Sequence, residues 1–177
     1  AGEAYLNGPI NFVNSNNTAI GTNKGFHLSG TPPTNQIWNP GIPFVPSYFT
    51  IGSGKTLTIE PGVIVKFNPS TSIAVSGILN APGTASNKVY FTSIKDDSVG
   101  GDTNGDGSAT APFPSDYRGL FFYSGSTGTL TNSVLRYGGA PQCCSLVYGV
   151  IKISGGTVSL NSTRLNNNTY GIYISSG

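Results

Sequence analysis

The sequence contains few charged residues, a single histidine, two cysteines and no methionine. Asp, Glu, Lys and Arg together make up 9% of the chain, and the formal net charge is only +2. Lys and Arg form no cluster with interleaved aromatic residues, which argues against a nucleic-acid partner. No apolar run approaches the roughly 20 residues that a bilayer-spanning helix needs, so the sequence predicts no membrane span.

Residues that favour helices are also scarce, whereas glycine occurs 25 times and Ser, Thr and Asn are abundant. Such a composition is typical of short strands joined by turns. The hydrophobic content of 37% over 177 residues is enough for the core of one domain. We therefore expect an all-β chain with little or no helix.

One sequence pattern recurs in the C-terminal third of the chain. It consists of a basic or aromatic residue, a glycine, an apolar run and Ser-Gly, and it appears as RGLFFYSG at 118–125, YGVIKISG at 148–155 and YGIYISSG at 170–177. The two intervals between the copies become equal when the loop at 140–147 is removed. A repeat of about 22 residues predicts stacked units that bury a core against their neighbours.

Leucines support the repeat, because Leu160 and Leu165 follow Leu130 and Leu135 at the interval that separates the first two copies. The phase of the last strands is less clear. Ile172 and Ile174 indicate one set of inward positions, whereas Ile151 and Ile153 indicate a phase shifted by one residue. The orientation of Lys152 therefore stays open at the sequence level.

From residue 48 to residue 93, short β-rich runs alternate with turns such as Glu60-Pro61-Gly62. Three strand centres fall in each repeat, which predicts a three-sided coil; they lie near Thr50, Leu57, Val65, Ala74, Leu79 and Tyr90. Strict hexapeptide repeats and tight Asn-Gly hairpins are missing, which argues against a left-handed solenoid and a sandwich. We expect a right-handed parallel β-helix, because crossovers between parallel strands are nearly always right-handed.

Residues 1–54 are predicted to form an N-terminal strand and cap region, and residues 55–177 the β-helix with loop inserts at 95–117 and 140–147. Five prolines between residues 29 and 46 predict an ordered loop pinned by Trp38, the only tryptophan. The alternating segment before that loop would either cap the first coil or offer a strand to a neighbouring molecule. Its apolar positions are Tyr5, Leu6, Ile10 and Phe12.

The span LTIEPGVIVKF…IAVSGILNAPGTASNKVYFTS, followed by an acidic loop and RGLFF, resembles secreted microbial surface proteins built from right-handed parallel β-helix repeats. These proteins are similar in shape to pectate lyases. The resemblance covers about residues 56–177 and implies the fold, but it does not imply a function, because this architecture carries lyases, hydrolases, adhesins and inert stalks.

The segment from residue 94 to residue 119 holds five of the seven acidic residues. Its stretch DTNGDG, from Asp102 to Gly107, matches the start of an EF-hand loop, where alternate oxygen side chains converge on calcium. The match fails at the twelfth position, which is Phe113. We expect a structural calcium site, with a solvated acidic loop as the alternative; the candidate ligands are Asp96, Asp97, Asp102, Asn104, Asp106 and Asp116.

A catalytic function has weaker support. His27 is the only histidine and lies far from the adjacent pair Asp96 and Asp97 in the sequence. A lyase would combine calcium with a basic residue that removes a proton. The candidates for that base are Arg118, Arg136 and Lys152, but isolated basic residues on strands are usually solvated.

Cys143 and Cys144 are adjacent, and no other cysteine exists. A vicinal disulfide is the favoured state in an exported protein, while two free thiols or links to another chain remain alternatives. A metal site is not expected, because two further ligands would be needed. Asn16, Asn161 and Asn167 each begin an acceptor sequence for N-glycosylation.

The third copy of the repeat stops after its first strand. Either the sequence is part of a longer stalk or enzyme, or a second subunit covers Ile172 and Ile174 in a head-to-tail contact. We expect a non-enzymatic extracellular or cell-surface structural protein that forms a filament or surface layer with itself. A polysaccharide lyase or hydrolase and a carbohydrate-binding adhesin are the alternatives, and a cell-surface polysaccharide is a second candidate partner.

Overall fold

The computed structural model describes residues 23–141 and 149–175, together with the backbone of residues 4 and 5. Within these ranges the chain is all-β and contains no helix, which confirms the expectation from composition. It follows that no described segment forms a helix of the length and apolarity that a bilayer crossing requires. The strands are β1 (Ala4–Tyr5), β2 (Phe26–Gly30), β3 (Gln36–Trp38), β4 (Phe44–Ile51), β5 (Thr56–Ile59), β6 (Ile64–Phe67), β7 (Ser72–Val75), β8 (Ile78–Pro82), β9 (Val89–Ser93), β10 (Gly119–Phe122), β11 (Thr127–Thr131), β12 (Ser133–Arg136), β13 (Ile151–Ser154), β14 (Thr157–Asn161), β15 (Arg164–Asn166) and β16 (Ile172–Ser175).

The described strands form two curled sheets in which every pairing is parallel. From β4 to β13, each strand pairs with the third strand after it in the chain. Strands β3, β5, β8, β11 and β14 make a five-stranded sheet, and the others join an eleven-stranded sheet. The strands that precede residue 55 therefore pair into the same sheets as those that follow it.

The predicted strand centres between residues 50 and 90 all lie in strands, from β4 to β9. The leucine repeat also corresponds to direct pairing, since Leu130 lies opposite Leu160 and Leu135 lies opposite Leu165. Apolar residues at alternate positions face inwards, which is why the period-two signal is informative.

The core is built from columns of apolar side chains that pass from strand to strand at the same level. Two such columns run along β4, β7, β10, β13 and β16: Phe49, Ile73, Leu120, Ile151 and Ile172 in one, and Ile51, Val75, Phe122, Ile153 and Ile174 in the other. Residues early in both columns are buried, while Ile172 and Ile174 are 48% and 73% exposed. Burial is therefore lost at the last strand of each column.

The pairing of β13 with β16 decides the phase that the sequence left open. Ile151 pairs with Ile172, and these two residues are separated by one position fewer than the repeat glycines Gly149 and Gly171. The cause is Val150, an extra residue between Gly149 and the strand. Both isoleucine pairs thus share the inward columns. Lys152 lies on the outer face, with its ammonium 5.6 Å from the centre of the Phe121 ring.

The prediction of a loop throughout residues 29–46 is wrong. This stretch contains β3 and the start of β4, and Pro46 is aligned with Leu28 in the β2–β4 pair. Trp38 does not pin a loop from outside, because it is buried in the core and stacked on Phe44 with 4.6 Å between ring centroids. The remaining prolines of the stretch lie between strands, where no ladder hydrogen bond is lost.

Gly128 shows how closely the core columns fit together. It occupies an inward position on β11, and a Cβ atom there would lie 2.4 Å from a ring carbon of Phe122. We expect Gly128→Ala to lower the free energy of unfolding by about 1–3 kcal/mol through overpacking, as measured by urea denaturation. The control is Thr129→Ala, at the exposed neighbouring position, and an equal loss in the two variants would contradict the prediction.

Candidate metal centre in the acidic loop

The acidic loop occupies residues 94–118, between β9 and β10, and it packs against the outer face of the sheet. Lys66 on β6 is paired with Thr92 on β9. Because side chains alternate between the two faces of a strand, both should point away from the core, yet both are fully buried. The Lys66 Nζ donates a hydrogen bond of 2.5 Å to the carbonyl oxygen of Gly101, and the Thr92 hydroxyl donates one of 2.5 Å to Asp96 Oδ2. The loop therefore covers these two side chains.

Two carboxylates fasten the loop to the strands. Asp96 is almost completely buried, and its Oδ2 accepts a 2.7 Å hydrogen bond from Arg136 Nε on β12. Asp116 accepts hydrogen bonds of 2.8 Å from Lys95 Nζ and 2.7 Å from the Ser93 hydroxyl. Both carboxylates are thus neutralised by cations of the chain itself.

Asp102 folds the tip of the loop into a tight turn. Its Oδ1 accepts backbone hydrogen bonds of 2.7 Å from Gly105 and 3.1 Å from Asp106, and its Oδ2 accepts one of 3.1 Å from Gly107. Lys24 donates a further bond of 3.1 Å to the same oxygen. Because three successive amides converge on one carboxylate, the side chains at positions 104 and 106 are held beside it.

Four oxygen-bearing side chains meet at this turn. One carboxylate oxygen from each of Asp97, Asp102 and Asp106 lies within 4.8 Å of the others. In addition, the Oδ1 atoms of Asp97, Asn104 and Asp106 are buried and accept no hydrogen bond from the described residues. A calcium ion takes oxygen ligands at about 2.4 Å, so the carboxylates of Asp97, Asp102 and Asp106 lie close enough together to share one ion.

The charges of the cluster are not balanced locally. Burial raises the pKa of Asp97, and the neighbouring Asp102 carboxylate raises it further. Burial lowers the pKa of Lys66, although Asp96, Asp97 and Asp102 oppose that effect. Burial would also raise the pKa of Asp102, but hydrogen bonds from Lys24, Gly107 and Gly105 outweigh it and lower the pKa. An additional cation would relieve the repulsion between these carboxylates.

Of the six predicted ligands, the structure brings together Asp97, Asp102 and Asp106, and Asn104 lies beside them, where its Nδ2 donates a 2.8 Å hydrogen bond to Asp106 Oδ2. It places Asp96 and Asp116 in ion pairs with Arg136 and Lys95. Phe113, at the twelfth position of the EF-hand comparison, is 71% exposed. Sequence reasoning missed Lys66, because alternation places it outside and nothing local shows that the loop covers it.

The basic residues considered for a lyase do not form one site. Arg136, on β12, is paired with Asp96. Lys152 lies on β13, a strand that does not pair with β12, and its ammonium group lies against the Phe121 ring. His27 lies in β2. Arg118 directly precedes β10, at the end of the acidic loop.

Some predicted residues fall outside the described ranges, namely Leu6, Ile10, Phe12, Asn16, Cys143 and Cys144. Tyr5 is described by its backbone alone, which pairs with Ser29. Asn161 and Asn167 are both exposed. The glycosylation and disulfide predictions therefore stay predictions.

Comparison of the chain with protein-family models, curated proteins and solved structures finds no significant match.

Proposed function

We propose that the chain is a non-enzymatic structural protein of the extracellular space or the cell surface, folded as a right-handed parallel β-helix. Pairing of each strand with the third strand after it supports a three-sided coil. The right hand follows from the general preference of crossovers between parallel strands. The extracellular location rests on the resemblance to secreted surface proteins and on the acidic loop, which suits a calcium-rich medium.

The end of the stack is the observation that carries the structural role. Ile172 and Ile174 continue the two inward columns, yet they are 48% and 73% exposed. Leu160, which ends the column of Leu130 on β14, is 37% exposed. Apolar side chains in core positions need a covering layer, because their exposure forfeits the free energy that burial supplies elsewhere in the column.

The cover is a second copy of the chain, stacked head to tail. Strands β14, β15 and β16 each have one neighbour among the described strands, and so does β3 at the other edge of the five-stranded sheet. Because all these strands are parallel, pairing of β14 with β3 of another copy would continue the sheet in the same direction. A contact of this kind repeats indefinitely and forms a filament.

Calcium has a structural role in this proposal. Asp97, Asp102, Asn104 and Asp106 would hold the ion, and the ion would offset the repulsion between the three carboxylates. The loop is anchored at its two ends by the buried side chains of Ile94 and Tyr117, but it buries no large apolar side chain between them, so ion binding would help to order it. The enzyme alternative has less support, because Asp96 and Arg136 form an ion pair and neither is a free acid or base.

A double variant tests the stacking. Ile172→Lys combined with Ile174→Lys places two charges in the apolar end layer, and we expect it to abolish assembly of the native chain. Sedimentation velocity and negative-stain electron microscopy across a range of protein concentrations would measure this. The matched control is Ile78→Lys, at an outer position of the central strand β8 that is 40% exposed, which should assemble like the native chain.

A native chain that stays monomeric at every concentration would contradict stacking by a second copy. The covering layer would then have to come from further coils of a longer polypeptide.

A further inference from the structure

The outer face of the five-stranded sheet is uncharged and rich in hydroxyl groups. It is formed by the outward positions of β3, β5, β8, β11 and β14, which alternate with the core positions of those strands. None of the residues at these outward positions is charged, whereas the outer side of the larger sheet carries Lys66 and Lys152. The threonines of the face are Thr56, Thr58, Thr127, Thr129, Thr131 and Thr157.

The outward side chains form a regular array. Thr129 on β11 pairs with Asn80 on β8 and with Ser159 on β14. Two positions earlier on the same strand, Thr127 pairs with Thr157. No pair of this sheet contains a register shift, in contrast to the pair of β2 with β4. Neighbouring strands lie about 4.8 Å apart, and outward residues along one strand lie about 6.6 Å apart, so the face has two fixed repeats.

The hydroxyl groups of the face are available to an external partner. The side chains of Thr127, Thr129 and Thr157 are exposed, and their hydroxyl groups form no hydrogen bond with any described residue. Branching at Cβ restricts rotation of a threonine side chain, so its hydroxyl and methyl groups keep fixed positions relative to the strand. Binding to this face would therefore cost little side-chain entropy.

The chemistry of the face narrows the class of partner. An ionic polymer would find no opposite charge at the outward positions of the five strands. Protein partners are usually anchored by Trp, Tyr or Arg, and these positions carry none of the three. The face instead repeats one group that both donates and accepts a hydrogen bond. A partner that matches it must also be uncharged, periodic and able to do both.

We infer that this face binds ice. Each water molecule at an ice surface donates and accepts hydrogen bonds from a fixed lattice position, and the oxygen atoms of ice repeat at distances similar to those of the face. Threonine hydroxyl groups take the places of water molecules in the surface layer, while the methyl groups lie between them. The lack of charge matters, because a strongly hydrated ammonium group would hold water in an arrangement that does not fit the lattice.

Adsorbed chains stop the growth of the crystal between them, so the freezing temperature falls below the melting temperature. This activity does not depend on head-to-tail stacking, because the outward residues of the face do not include Ile172 and Ile174 of the end layer.

Thermal hysteresis, the gap between the melting and freezing temperatures of a single ice crystal, tests the inference. We expect the native chain to produce a gap that grows with protein concentration, and to become incorporated into slowly growing ice. An osmometer measures the first effect, and the fluorescence of labelled protein in the ice fraction measures the second. Thr129→Lys places a hydrated charge in the middle of the face and should abolish both effects.

The matched control is Phe113→Lys, which adds the same charge at an exposed position of the acidic loop and should retain the full gap. Thermal unfolding verifies the fold of each variant, and Thr127→Lys provides a second change on the same strand. A native chain that produces no gap and is excluded from ice would overturn the inference. So would a folded Thr129→Lys or Thr127→Lys chain with native hysteresis. Adsorption to microcrystalline cellulose without incorporation into ice would overturn it in favour of a sugar lattice.

Discussion

Calcium at about 10 mM should raise the midpoint of thermal unfolding by about 5–10 °C relative to the protein in a chelator. The size follows from linkage: a site with Kd of about 0.1 mM, which is typical of extracellular calcium modules, gives about 2.7 kcal/mol at that concentration. Differential scanning calorimetry with and without calcium measures the shift. Magnesium should produce a smaller one, because it demands a tighter octahedral arrangement of ligands.

Asp97→Asn distinguishes ion binding from damage to the loop. Burial and the Asp102 carboxylate raise the pKa of Asp97, so its charge destabilises the protein without calcium. The neutral and isosteric variant should therefore unfold at an equal or higher temperature in chelator, while it loses most of the increase that calcium causes. A structural defect would instead lower both midpoints.

Asp116→Asn is the matched control in the same loop. Its carboxylate is paired with Lys95 and lies outside the cluster, so the variant should lower the midpoint with and without calcium by similar amounts. A calcium shift that survives in Asp97→Asn but disappears in Asp116→Asn would contradict the assignment of the ligands.

Arg136→Met is expected to lower the free energy of unfolding by about 3–5 kcal/mol, because it leaves the Asp96 carboxylate buried without its cation. Asp96 is 1% exposed, and its side chain lies 2.6 Å from Arg136 Nη2. For a chain of this length the loss corresponds to a midpoint lower by about 6–20 °C. Urea denaturation and calorimetry measure both quantities.

Two further variants show whether the unpaired charge is the cause. Asp96→Asn combined with Arg136→Met removes both charges and should recover part of the loss. Lys95→Met breaks the more exposed pair with Asp116 and should cost about 1 kcal/mol or less. Similar losses in Arg136→Met and Lys95→Met would show that burial of Asp96 does not control the stability of the loop.

The strands could be predicted because the period-two signal is local. Residues 48–93 alternate strongly, and the predicted centres of their strands agree with the structure. The last register could not be predicted in the same way, because one extra residue, Val150, shifts the pairing of Ile151 by one position. The prolines misled the prediction for residues 29–46, because four of them lie between strands and only Pro46 lies within one, β4, whose pairing with β2 shifts register directly after it.

The candidate metal site was predictable in composition but not in its exact ligands. Asp96 and Asp97 are adjacent, yet one faces Arg136, which lies much further along the chain, and the other faces Asp102. Such a difference depends on the path of the loop over the sheet. The burial of Lys66 depends on the same long-range placement, so local sequence patterns contain no signal for it.

The corners between strands absorb nearly all variation in length. Leu57 and its partner Leu79 are 22 residues apart in the sequence, whereas Leu120 and its partner Ile151 are 31 residues apart, yet both pairs lie in register on neighbouring parallel strands. A gene for such a chain can therefore acquire or discard segments at the corners without any realignment of its strands. The acidic loop lies between β9 and β10, so its residues can change in number or kind without any shift in the pairing of those two strands.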